Sequence, residues 1–122
     1  TNDLKYSFDI PETATTSMIG GDDSLLKITD EGVRQATLYF AYEGSKSFTP
    51  ADYISYMVSP HVPVIDTKEV KTIGGYDWQL AETAGSNWYI TSIYDGLWII
   101  AIESKKDWSD QASALVESFE VK

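Results

Sequence analysis

The sequence predicts an α+β fold: a largely antiparallel sheet of six to seven strands with two helices packed on it. Three observations predict it. Several strand-length segments alternate apolar and polar residues, the period of a half-buried strand. Two other segments repeat their apolar residues at the helical period, and one of them closes the chain. Between them, short Gly-containing turns join consecutive strands as hairpins, the connection that antiparallel neighbours use. All 122 residues are read as one domain, a usual size for a single core.

In the first strand Leu4, Tyr6, Phe8 and Ile10 share one face, and Pro11 ends it. Glu12 to Asp23 is small, polar and Gly-containing, and reads as a long loop. Ser24 to Thr29 is a short strand with Leu26 and Ile28 inward, and Asp30-Glu31-Gly32 turns the chain. Arg34 to Tyr42 follows, with Leu38, Phe40 and Tyr42 on one face. After a loop, Thr49 is a capable N-cap, Pro50 fits the first helical position, and Asp52 puts negative charge in the first turn. Tyr53, Ile54 and Met57 are spaced to share that helix's buried face. Pro60 and Pro63 end it, because each disfavours helical geometry in the residue before it.

Consecutive hairpins come next. Lys68 to Ile73 meets Gly74-Gly75, then Tyr76 to Thr83; Ala84-Gly85-Ser86 leads to Asn87 to Tyr94; Asp95-Gly96 leads to Leu97 to Ser104. Asp-Gly tolerates the positive φ angles of a type I′ turn. The run Leu97-Trp98-Ile99-Ile100-Ala101-Ile102 is apolar on both faces, as a central strand covered on both sides must be. In the closing helix Trp108, Ala112, Leu115, Val116 and Phe119 recur at the helical period, with Asp107 or Ser109 as its cap.

The formal charge is −10, from 9 basic and 19 acidic side chains, and Arg34 is the one arginine. Phosphate neutralisation needs Lys and Arg, so nucleic-acid partners are excluded, and anionic membrane surfaces are repelled. There is no cysteine, hence no disulfide, thiol catalysis or Cys-ligated zinc. No apolar run approaches the roughly 18 residues of a membrane span, so this segment does not itself insert in a bilayer. A start at Thr1 fits either a processed protein or a trimmed one, and a removed export signal or lipid anchor is the expectation that suits the first.

Two end motifs carry a resemblance. Tyr6-Ser7-Phe8-Asp9-Ile10-Pro11 resembles the first strand of the PsbP-like proteins, which include the extrinsic luminal subunit of photosystem II and many small exported bacterial proteins. Leu115-Val116-Glu117-Ser118-Phe119-Glu120-Val121 resembles that family's final helix running into a Ser-Phe and a short last strand. After Pro11 this chain has Glu12 and Thr13, where Gly and Trp are common in the family. The resemblance implies an α/β/α sandwich, an extracytoplasmic setting and a binding or accessory role, with no catalytic site carried over.

Little in the sequence marks catalysis. The single His61 lies between two prolines with no nucleophile motif nearby, and reads as an exposed loop residue. Asp77, Glu82, Asp95 and Glu103 are the acids from which a glycosidase-like pair would be drawn, and nothing marks two of them as facing across a cleft. Calcium is the one cofactor in view. It takes oxygen ligands, and Asp22 and Asp23, with Asp30 and Glu31, flank the second strand. Trp78, Trp88, Tyr76, Tyr89 and Tyr94 fall on adjacent strands. They form either an aromatic patch for a ligand or part of a core covered by helices.

The expected function is a non-enzymatic, extracytoplasmic binding or accessory domain, monomeric, with a protein or small-ligand partner. A carboxylate-dependent hydrolase and a structural or oligomerisation module are the alternatives, and close buried acids or an exposed apolar edge would favour them in turn.

Overall fold

The computed structural model describes residues 6–19, 22–42, 49–73, 75–93 and 98–121. Its strands are β1 (Tyr6–Ser7), β2 (Ala14–Ile19), β3 (Asp22–Asp30), β4 (Val33–Tyr42), β5 (Val64–Ile73), β6 (Tyr76–Thr83), β7 (Ser86–Ile93), β8 (Trp98–Lys105) and β9 (Glu120–Val121). Helix α1 (Pro50–Tyr53) runs directly into a π-turn (Ile54–Val58), and a 3₁₀ turn (Lys106–Trp108) leads into α2 (Ser109–Ser118). Seven strands form one sheet in the order β2-β3-β4-β8-β7-β6-β5, and β1 pairs with β9 in a separate ribbon. Every neighbouring pair is antiparallel. The predicted α+β class and its antiparallel sheet are what the chain adopts.

Strand β8 occupies the centre, between β4 and β7. Ile99, Ile100, Ala101 and Ile102 are all fully buried, so both of its faces are covered, as the unbroken apolar run requires. The even-numbered side chains of β8 join Leu38, Phe40 and Trp78 under Trp108, Ala112, Leu115, Val116 and Phe119 of the closing segment. Its odd-numbered side chains join Ala81, Trp88 and Ile90 under Tyr53, Ile54 and Val58. One helix therefore lies on each face, and the layers are α/β/α. Burying each such isoleucine stabilises the fold by about 1.5–3 kcal/mol.

Four local expectations need correction. Residues 14–19 pair with β3 instead of looping. Thr15, Thr16, Ser17 and Met18 are exposed because β2 is an edge strand, so no apolar alternation announces it. Strand β5 begins at Val64 and carries two register shifts. Such bulges bend an edge strand away from further pairing.

In the first helix Met57 is exposed and Val58 is buried. The π-turn, closed by Ser59 N–H donating to the Ile54 carbonyl at 2.8 Å, winds more residues per turn than an α-helix, so the inward face shifts by one position. Finally, neither Asp107 nor Ser109 caps α2. Trp108 holds the cap position with no side-chain capping bond, after the 3₁₀ turn.

The start of α1 is as expected. Thr49 Oγ1 accepts from Asp52 N–H at 3.2 Å, and Asp52 Oδ2 accepts from Thr49 N–H at 2.9 Å, a reciprocal capping box. Thr49→Ala should cost about 1 kcal/mol of stability in urea unfolding. No measurable loss would show that packing of Tyr53 and Val58 alone holds this helix.

Candidate functional site

The aromatic residues singled out in the sequence separate onto opposite faces. Tyr76, Trp78 and Tyr89 belong to the α2 face. Trp78 is fully buried, its Nε1–H donates to the Ile73 carbonyl at 3.1 Å, and its ring meets Phe119 edge-on at 6.0 Å. The Tyr76 hydroxyl accepts from Val121 N–H at 2.9 Å, tying β6 to β9. Tyr89 is buried, with its hydroxyl 3.4 Å from Ser113 Oγ on α2. Trp88 lies under α1, stacked on Tyr39 at 5.6 Å. Tyr94 lies outside the described residues. The four that are described sit within two helix-covered layers and form no shared exposed patch.

Asp22 and Asp23 lie on the first residues of β3, and their side chains are outside the described set. Among the described residues, no three His, Asp or Glu side chains gather as an ion would need. Asp30, at the far end of β3, is buried and has protein partners instead. It accepts from Thr13 Oγ1 at 2.5 Å and from Trp108 Nε1 at 2.9 Å. The Thr13 hydroxyl, then the Trp108 indole, hold its carboxyl below the usual aspartate range against the opposing effect of desolvation.

The other acids do not converge. Glu82 pairs with Lys106 at 2.7 Å, and that hydrogen bond and charge lower its pKa. Asp77 Oδ1 accepts from Thr72 Oγ1 at 2.6 Å. Glu103 Oε1 accepts from the Tyr39 hydroxyl at 3.2 Å. Glu82 has the parity of Trp78 on β6 and Glu103 that of Ala101 on β8, so they project from opposite faces. Asp77 and Glu103 share a face, but the register sets them four residues apart along the strands, about 13 Å, and two strands apart across the sheet. Asp95 lies outside the described residues.

An open groove lies on the α1 face, beyond the end of the helix. Pro50–Val58 covers the sheet over Ala81, Trp88, Ile90, Ile99 and Ala101, with Tyr39, Ala41 and Val64 at the margin of that cluster. The chain then leaves toward the β5 edge, with Val62 on the rim. The uncovered ends of β4 and β8 floor a groove of about 360 Å³, closed on the far side by the β6–β7 turn. In register, Thr37 stands opposite Glu103. Lys105 stands opposite Ser86, whose hydroxyl is 2.9 Å from Thr83 Oγ1. The turn's own polar groups are thus satisfied among themselves. Arg34 and Gln35 enter where the β3–β4 register shifts between Ile28 and Thr29, a bulge that re-aims side chains at a sheet end.

The electrostatics of this groove differ from those of the acidic surface. Arg34 and Lys105 line it, and among the described residues neither forms an ion pair. Burial, reinforced by the Glu103 carboxylate, pushes the Tyr39 hydroxyl up to about 12, so it remains a donor. Gln35 Oε1 is buried without a hydrogen-bond partner among the described residues, and so is Trp88 Nε1 beside Glu103. Each such orphan costs about 1–3 kcal/mol.

Glu103 appears in the sequence only among the candidate glycosidase-like acids, and none of the other groove residues stands out there as a site. The available signal is positional. On β8 the odd-numbered residues pass from Ile99 and Ala101 to Glu103 and Lys105, while β4 is polar at Arg34, Gln35 and Thr37. Two neighbouring central strands turning polar on one face at one end mark where a covering helix stops.

No known protein-family profile matches the chain, and no curated protein matches it. Solved structures do. A crystal structure from Bacteroides thetaiotaomicron matches with a TM-score of 0.62 over 96% of this chain at 12% identity, and the chain spans 45% of that protein. The solution structure of cyanobacterial PsbP (CyanoP) from Synechocystis sp. PCC 6803 matches with a TM-score of 0.62 at 14% identity, covering 96% of this chain and 86% of that one. With the central β8, a helix on each face and the terminal β1–β9 ribbon, this chain has the PsbP-like fold.

Proposed function

We propose that this chain is a non-enzymatic, extracytoplasmic binding or accessory domain, monomeric, whose ligand occupies the groove at the open end of the α1 face. The observation that carries the reading is the groove itself, where Arg34, Glu103 and Lys105 line one concavity on rigid strands. Its volume falls in the range of small-ligand sites, about 300–1,000 Å³. The PsbP-like fold supports an accessory role. Export is supported by the likeness of fold and by the end motifs. No helix among the described residues is long and apolar enough to cross a membrane. The projection of Glu82 and Glu103 from opposite faces speaks against the hydrolase reading.

Amide chemical-shift mapping with a library of small polar fragments tests the assignment. Hits should cluster on Arg34, Thr37, Val62, Ser86 and Lys105. Hits confined to the α2 face, or none at all, would overturn it.

A further inference from the structure

The charges in the groove define what fits it, if the groove is the binding site as read above. Cationic donors come from Arg34 and Lys105, and an anionic acceptor from Glu103. The Tyr39 hydroxyl already occupies one oxygen of Glu103 and fixes the carboxylate at the groove floor. Glu103 and Lys105 are two residues apart on one face of β8, about 7 Å along the strand. A ligand seated between them meets both signs of charge within one small molecule's length. Gln35 also lines the groove, and its Oε1 is a buried acceptor without a hydrogen-bond partner among the described residues. Ala36, Val62 and Gly85 supply the uncharged wall.

We infer that the groove binds a small zwitterion: a carboxylate held by Arg34 and Lys105, and an ammonium group held by Glu103, joined by a few bonds. Free amino acids and short amino-terminated acids have this chemistry. A purely anionic ligand would face the Glu103 carboxylate, and a purely cationic one would face Arg34 and Lys105. Either is disfavoured by like charge, so the groove selects for the pair.

The test is a calorimetric and chemical-shift titration of the intact chain. The probes are the α-amino acids, 4-aminobutanoate and glycylglycine, each compared with its N-acetyl and C-amide forms and with acetate. Saturable binding should appear for at least one zwitterion, with shifts on Thr37, Ser86 and Lys105. N-acetylation and C-amidation should each weaken it by about tenfold or more. Glu103→Gln keeps an oxygen for Tyr39 and should weaken the zwitterion while strengthening acetate, because the like charge facing the anion is removed. Arg34→Gln should weaken both. Thermal unfolding of each variant checks that the fold is retained.

Equal affinity for the N-acetyl form, or an unchanged affinity in Glu103→Gln, would overturn the zwitterion assignment while fragments that still map to the groove uphold the binding reading. No zwitterion binding together with fragments that miss the groove would overturn both.

Discussion

Phe119→Ala should destabilise the protein by about 3–5 kcal/mol. Phe119 is fully buried between the end of α2 and β9. Its ring lies 6.0 Å from Tyr6, 6.3 Å from Phe8, 6.3 Å from Tyr76 and 6.0 Å from Trp78. It joins the terminal ribbon, the closing helix and the sheet in one contact. Removing it leaves a cavity that three separate elements would have to collapse into, and the fixed sheet cannot move to fill it. In a chain of this size the loss should lower the melting temperature by roughly 10–20 °C.

Urea unfolding followed by tryptophan fluorescence reads the loss directly. Hydrogen exchange at Val121, whose N–H donates to Tyr76, should accelerate beyond the global change. Phe119→Leu should recover more than half. A loss below about 1 kcal/mol for alanine would show that the aromatic cluster repacks without it.

Trp108→Ala should cost a similar amount, about 3–5 kcal/mol, because this indole is buried under the sheet. Trp108→Phe is the more telling variant. It keeps the ring bulk but removes the donor to Asp30. The Asp30 carboxyl is held below its usual range by Thr13 and Trp108. A depressed carboxylate contributes stability that is present above its unfolded value, near 4, and is lost as pH falls through the lower folded value. In Trp108→Phe the folded value moves back toward the unfolded one, so less stability is lost on acidification. Stability measured from pH 6 to pH 2 should fall less steeply in Trp108→Phe than in the native chain, and less steeply still in Asp30→Asn. Parallel curves for all three would show that Asp30 has no special share in acid unfolding.

The central elements were legible because burial imposes a pattern. Ile99 to Ile102 can be apolar on both faces only in a strand covered twice, and the spacing of Trp108, Ala112, Leu115 and Phe119 suits one helical face. Edges impose none. Thr15 to Met18 face solvent on both sides, so β2 reads as loop although its β-branched threonines suit a strand. The Met57 and Val58 exchange depends on how the backbone winds, which spacing arguments take as fixed at 3.6.

The aromatics were ambiguous for a related reason. Alternation separates Tyr89 from Trp88, but only the packing of both helices shows that each is covered. The groove was the least legible feature. Arg34 is far in sequence from Glu103 and Lys105, each is individually ordinary, and only the pairing of β4 with β8 brings them to one groove.

The position of β8 has a consequence for synthesis. Ribosomes deliver a chain from its N-terminus, yet the strand at the middle of this sheet is the last of its seven to emerge. Until residue 98 onward is available, the β2–β3–β4 and β5–β6–β7 segments are two hairpin sheets, each with an unpaired inner edge along β4 or β7. Neither half has its core, since the four buried residues at 99–102 serve both faces. Folding is then a nearly all-or-none event driven by insertion of one strand between two waiting edges, and a nascent chain stays open until β8, Trp98–Lys105, appears. A premature stop before Trp98 would leave two unpaired edges with nothing to join them.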